Sequence, residues 1–194
     1  MSEEVNWPLW EAAEQLGVPV YMHPGLPPKA VYDAYYEELG PIMGTALSTA
    51  GWGWHVDTGL HTLRLIVRGV FDRFPDLQVI IGHMGEAIPF MLGRLEERFA
   101  GLHASIPDFE LPFKRPIREY FRTNVHISTS GFFDNESLQC AISAIGADRI
   151  MFAVDYPFST NADGQKFIEN APLSDDDRDA IAHGNAERLL KLSA

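Results

Sequence analysis

A single cysteine, Cys140, carries all the thiol chemistry of this chain, so no internal disulfide can form and the sequence suits a reducing compartment. It lies in an apolar helical pattern with Leu138, Ala141 and Ile142 and reads as a buried structural thiol. Positive charge is scarce as well. Fifteen Lys and Arg face 27 Asp and Glu, and the formal net charge of −12 repels phosphate backbones and anionic membrane surfaces. Nucleic acid and membranes are therefore not expected partners. No apolar run approaches the roughly 18 residues of a membrane helix, and the acidic start MSEEV lacks the positive segment of a secretory leader. The expectation is a cytoplasmic chain. Internal repeats, low-complexity segments and a Gly-x-Ser-x-Gly elbow are also missing, which argues against serine nucleophiles at Ser128 and Ser130.

What is present is ordinary for a globular protein: 46% hydrophobic and 22% charged residues, enough for one folded unit over residues 1–194. Four β-like runs stand out: Val18–Met22, Val79–Ile81, Val125–Thr129 and Ile150–Val154. Three are nearly continuous in apolar character, as strands covered on both faces are. Helical patterns separate them. One opens after Asn6, a candidate cap, with Pro8 in its first turn and Gly17 at its end; a second spans about Asp57 to Phe74 and stops at Pro75; a third runs from Ile88 to Gly101; a fourth follows Asp134. Ser174 is placed to cap a further helix, and a last one follows Asn185. Alternating strands and helices predict βαβ units and a parallel sheet. Residues 25–56 and 102–124 read as long connections, the first with enough aromatic residues to form a substrate wall.

Polar residues recur just past the end of each apolar run: His23, His83, Ser128 to Gly131, and Asp155. In a (β/α) barrel every parallel strand delivers its last side chain to one mouth, where active sites are built. Two imidazoles and a carboxylate at one mouth suit a divalent metal and a proton-transfer group. Glu86, three residues after His83 at the start of the next helix, either complements the helix dipole or orients that imidazole and holds its proton, and the dyad is the favoured reading. His55, His61, His103 and His183 fall outside this register and read as structural.

The segments NWPLWEAAEQLGVPVYMHPG, HTLRLIVRGVFDRFPDLQVIIGHMGEAIPFMLGRLEER and ADRIMFAVDYPF, with GNAERLL after them, resemble the C-terminal portion of the amidohydrolase-related, metal-dependent decarboxylases. The nearest type is the gamma-resorcylate (2,6-dihydroxybenzoate) decarboxylase group, with aminocarboxymuconate semialdehyde decarboxylases more distant. The resemblance covers nearly the whole chain. It implies an α/β fold of TIM-barrel type, of which this sequence supplies strands five to eight. It further implies that His23 and Asp155 are metal ligands and that His83 is the acid–base residue paired with Glu86. Asp155 counts among the catalytic residues, Arg94 helps hold a substrate carboxylate, often across a dimer interface, and Phe158 lines the substrate pocket. The cofactor implied is a divalent metal, zinc first and manganese as the alternative.

The family's first strand carries further metal ligands, and nothing before His23 matches them. The expectation is thus a half barrel whose open sheet edges and apolar inner face favour a homo-oligomer. The activity implied is non-oxidative decarboxylation of a hydroxybenzoate-like aromatic carboxylic acid. A metal-dependent hydrolase of the same superfamily, or an inactive fragment that only associates, is the alternative.

Overall fold

A computed structural model describes residues 1–106 and 108–192, without the side chains of residues 103 and 104. Its centre is a parallel sheet of four short strands in chain order: β1 (Val20–Met22), β2 (Val79–Ile81), β3 (Val125–Ser128) and β4 (Ile150–Met151). The register places Met22, Ile81, Ile127 and Ile150 at one level and Tyr21, Ile80 and His126 at the level below. Because side chains alternate along a strand, the sheet presents two distinct faces. Met22, Val79, Ile81, Val125, Ile127 and Ile150 join the helix-packed core, built also from Trp10, Leu65, Phe71, Leu92, Phe121 and Leu138. Tyr21, Ile80, His126, Ser128 and Met151 stand outside it.

Val20 and Met22 pack toward the helices, so the inner barrel face is the one that carries Tyr21, Ile80 and Met151. On that face Ile80 and Met151 are nearly closed off, and Tyr21 at the β1 edge is the exposed member, at 45%. The inner face is therefore far less bare than four open strands suggest.

The strands are shorter than their apolar runs. Pro19 has no N–H, and the ladder starts at Val20, whose N–H donates to the Gln78 carbonyl. Beyond β4 the Thr129 hydroxyl replaces the ladder, accepting from Ala153 N–H at 2.9 Å and donating to its carbonyl at 2.7 Å.

In chain order the α-helical elements are α1 (Trp7–Leu16), α2 (Lys29–Tyr35), α3 (Gly40–Ser48), α4 (Gly53–Val67), α5 (Val70–Arg73), the single turn α6 (His83–Glu86), α7 (Ile88–Ser105), α8 (Ile117–Thr123), α9 (Asn135–Ile145), α10 (Asn161–Asn170), α11 (Asp175–Asp179) and α12 (Asn185–Leu190). Gly17 ends α1 in the left-handed region, but Asn6 makes no side-chain cap. Asp134 and Ser174 do cap, accepting from Ser137 N–H and Asp177 N–H.

The helix expected from Asp57 to Phe74 instead starts at Gly53 and breaks at Gly69. Gly69 has φ +71, and a Cβ there would lie 2.6 Å from the Pro112 carbonyl, so the chain turns where only glycine fits. The connections expected over 25–56 and 102–124 contain α2, α3 and α8. Their prolines mark helix starts: Pro28 and Pro116 precede α2 and α8, and Pro41 lies in the first turn of α3. No helix among the described residues is long and apolar enough to cross a membrane.

Candidate active site

Strand β2 is followed by Gly82, and the next five residues all take positive φ: His83 (46°), Met84 (55°), Gly85 (87°), Glu86 (55°) and Ala87 (62°). Left-handed backbone costs a non-glycine residue roughly 1–2 kcal/mol. A run of this kind persists only where its surroundings over-determine it, and such strain concentrates at functional sites. Here the turn is locked by close contact. A Cβ on Gly85 would sit 2.9 Å from Pro89 Cγ and 3.2 Å from Ile127 Cγ2, and one on Gly82 would sit 3.0 Å from the Tyr21 hydroxyl. The two glycines of GHMGE thus let the turn press onto the sheet end. The Tyr21 hydroxyl passes that gap to reach Ser128 Oγ at 2.9 Å and Ser130 Oγ at 3.2 Å.

The left-handed turn folds Glu86 back under His83. His83 Nδ1 lies 2.8 Å from Glu86 Oε1, and the carboxylate is fully buried. The other carboxylate oxygen faces His55, whose Nδ1 is 2.6 Å from Oε2; His55 Nε2 in turn donates to the Ala50 carbonyl at 2.9 Å. One buried carboxylate therefore bridges two imidazoles, whose ring centroids are 4.9 Å apart, with Phe132 edge-on to both. The His55 pKa is raised, first by its hydrogen bond to Glu86, against the opposing pull of burial.

His55 is the residue that the sequence reading set aside. Its signal lay in periodicity. With Gly53, Thr58, Gly59, Thr62, Leu65 and Ile66 it forms the buried stripe of α4, and Gly59 one turn on admits the Glu86 carbonyl to 3.2 Å of where a Cβ would lie. That close approach brings the His55 ring to the Glu86 carboxylate.

His23 directly follows β1, and its ring centroid lies 6.4 Å from that of His83. Its Nδ1 donates to the Pro24 carbonyl at 2.8 Å. Asp155 stands past the end of β4 with φ 67°, beside Gly131, where a Cβ would lie 3.5 Å from Asp155 Cβ. Gly131 and Ser130 lie past the end of β3, and Ser130 Oγ would be 3.6 Å from a Cβ on Gly82. All of these groups occupy the C-terminal rim of the parallel sheet.

Two expected residues stand apart within this chain. Arg94 is 61% exposed on α7 and pairs with Glu97 at 3.0 Å, and Phe158 is 86% exposed. Neither lines a cavity with His83. The physical reason for Arg94 is phase: position 94 lies on the outer side of α7, opposite Leu92 and Leu95, which turn toward the core. His61 pairs loosely with Asp57 at 3.6 Å and His183 with Glu187 at 3.2 Å, whereas the His103 side chain lies outside the described residues. A cavity of about 670 Å³ opens beside His55 and His83, walled by Trp52, Met84, Phe90 and Phe132. Cys140, expected to be buried, is half-buried and borders this cavity.

His55, His83 and Glu86 also satisfy a distance test for a cation site, their donor atoms lying within 4.8 Å of one another. Nitrogen and oxygen at 2.6 and 2.8 Å are at hydrogen-bond separation, however, and share protons along that line. The arrangement is that of a buried hydrogen-bonded chain.

Comparison with known proteins follows the same direction. The family model described as amidohydrolase matches residues 2–192. The chain belongs to this amidohydrolase family. Among its relatives is a gamma-resorcylate decarboxylase of Polaromonas sp., 40% identical over 190 residues, which cover 96% of this chain and 55% of that protein. Among solved structures, a dihydroxybenzoic acid decarboxylase of Polaromonas sp. with bound manganese and the inhibitor 2-nitroresorcinol superposes with TM-score 0.86 at 36% identity, covering 98% of this chain and 55% of that one. A 2,6-dihydroxybenzoate decarboxylase from Rhizobium gives TM-score 0.84 at 36% identity, covering 100% and 57%. The chain thus spans about half the length of the relatives it matches, and its four parallel strands are a part of their barrel.

Proposed function

We propose that this amidohydrolase chain carries the proton-transfer half of a metal-dependent, non-oxidative decarboxylase acting on a hydroxybenzoate-like acid. The observation that supports this reading most is the buried His83–Glu86 pair on the C-terminal rim of the sheet, in a chain 40% identical to a gamma-resorcylate decarboxylase. The adjoining cavity, with walls from Trp52, Phe90 and Phe132, suits an aromatic ring.

His23 and Asp155 fit a divalent cation. Donation of His23 Nδ1–H to the Pro24 carbonyl fixes the tautomer and leaves Nε2 with a free lone pair, the posture of a metal-ligating imidazole. The Asp155 carboxylate makes no side-chain hydrogen bond among the described residues. An imidazole with a carboxylate suits zinc or manganese alike. The resemblance implies zinc first; manganese takes precedence here because solved decarboxylases similar to this chain hold it. When bound, the cation supplies positive charge beside the substrate carboxylate and its neighbouring hydroxyl.

The chain's own residues carry the proton. His83 keeps its Nδ1–H on Glu86, so Nε2 is the nitrogen free to exchange a proton with substrate. As the bond between ring carbon and carboxylate breaks, carbon dioxide leaves, the electron pair stays with the ring carbon, and the His83 proton takes the vacated position. A panel of hydroxybenzoates assayed for carbon dioxide, beside esters and lactones assayed for hydrolysis, tests the reading. Carbon dioxide release from a 2,6-dihydroxybenzoate-type acid is the expected outcome; hydrolysis alone would favour the sister chemistry of a metal-activated water.

The proposal includes association between copies. On α2, α3 and the turn between them, Tyr35, Leu39, Ile42, Met43 and Leu47 expose apolar side chains, and exposed apolar surface of this kind favours association. Arg94 and Phe158, turned outward within one chain, would then act only if a second copy brings them to a site. Light scattering is expected to give a mass at least twice 21.7 kDa, and a folded 21.7 kDa species would contradict it.

A further inference from the structure

We infer that His55 is a positioning residue that holds a proton against the buried Glu86 carboxylate and thereby prepares His83 to give up its own. The inference deepens the decarboxylase reading and rests on it for its consequence, although its first half stands on geometry alone.

A backbone carbonyl can only accept, so the 2.9 Å contact to Ala50 requires hydrogen on His55 Nε2. The 2.6 Å contact between His55 Nδ1 and Glu86 Oε2 also requires one hydrogen between its two heavy atoms. Both contacts need a proton, and because imidazole is ordinarily the stronger base than a carboxylate, the hydrogen shared with Glu86 belongs to His55, which makes it the imidazolium of an ion pair with an ionised Glu86. A fully buried carboxylate with no countercharge is costly, and the His55 cation supplies that charge. The raised pKa of His55, caused first by the Glu86 hydrogen bond, agrees with this assignment.

Among the described residues no competing partner lies at such distances. His83 and Glu86 of α6 face His55; Phe132, between β3 and α9, is apolar; and α9 contributes Glu136 and Cys140 to the cavity wall. His23 lies beyond His83. Asp57 and His61, on the same helix as His55, pair with each other.

The consequence concerns His83. Without His55, Glu86 would present its full negative charge to the other imidazole and hold that proton tightly. Protonation of an aromatic ring carbon needs a donor that releases its proton readily. With His55 charged, the three groups are neutral in sum when His83 is the neutral imidazole and carry one positive charge when it is ready to donate. His55 thus converts a strongly retaining dyad into a donor.

The test uses the whole chain with ¹⁵N-labelled histidine. In the wild type, above the ordinary histidine value of 6.5, both His55 ring nitrogens are expected to remain protonated. One bare and one protonated nitrogen there would overturn the proposal, whatever the chain catalyses. In His55→Gln, which keeps a side-chain amide near the Ala50 carbonyl, turnover is expected to fall roughly 10–100-fold, the range for partners that orient a reacting group. KM stays near its wild-type value, and the alkaline limb of the pH–rate profile moves to higher pH. A fall in rate with an unmoved profile would indicate a merely structural role and overturn the second half. If no hydroxybenzoate is decarboxylated by the wild type while His55 is doubly protonated, the decarboxylase reading fails and the proton assignment stands.

Discussion

Glu86→Ala is expected to destabilise the fold by about 3–5 kcal/mol, the usual cost of removing one partner from a buried charged pair. It is also expected to lower turnover by roughly 10²–10⁴-fold, because the same carboxylate orients the acid–base imidazole. Two buried Nδ1 atoms, those of His55 and His83, lose their acceptor in this variant. Chemical denaturation at several pH values checks the first part. The folded-state value of His55 is raised, so the stability it contributes is fully present below 6.5 and is lost as pH climbs through the raised value. The gap between wild type and Glu86→Ala should therefore narrow in that direction. A gap that widens with rising pH would place the proton elsewhere. Glu86→Gln keeps the volume and one acceptor, and its smaller stability loss, about 1–3 kcal/mol, separates charge from shape.

His83→Ala and Asp155→Ala are expected to part company in one measurement. Both should abolish decarboxylation, with the loss at His83 amounting to at least the roughly 10²–10⁴-fold that a placed proton donor contributes. Manganese binding, followed by calorimetry, should survive in His83→Ala and disappear in Asp155→Ala. The reasoning is geometric: His83 commits its Nδ1 to Glu86 inside a buried hydrogen-bonded chain, whereas the Asp155 carboxylate carries no such commitment. Equal loss of the cation in the two variants would remove the division between ligand and proton donor.

The parts of this architecture legible in the sequence are those set by local rules. The β-like runs at Val79–Ile81 and Val125–Thr129, with polar residues at their ends, gave away parallel strands and a common rim, because β2 and β3 are buried on both sides and pair in register. Ser174 was readable as a cap from residue type and the acidic turn that follows. What escaped reading depended on partners distant in the chain. Gly69 breaks a helical pattern that is periodic on both sides of it, and the reason is the Pro112 carbonyl pressed against it. Helices α2 and α3 hid among glycines and prolines that serve as their starts. His55 was passed over because only the left-handed turn from His83 to Ala87, thirty residues downstream, folds a carboxylate into its reach. Arg94 shows the converse: a position in the right place along the sequence is, within one chain, on the outside of its helix.

The most direct measurement of the central claim is incubation of the whole chain, loaded with manganese, with carboxyl-labelled 2,6-dihydroxybenzoate in D₂O. The account predicts that labelled carbon dioxide is released and that one deuteron appears on the ring carbon that bore it, with both losses complete in His83→Ala. Release of carbon dioxide at an undiminished rate by His83→Ala, or no release by a folded, manganese-loaded wild type, would contradict it.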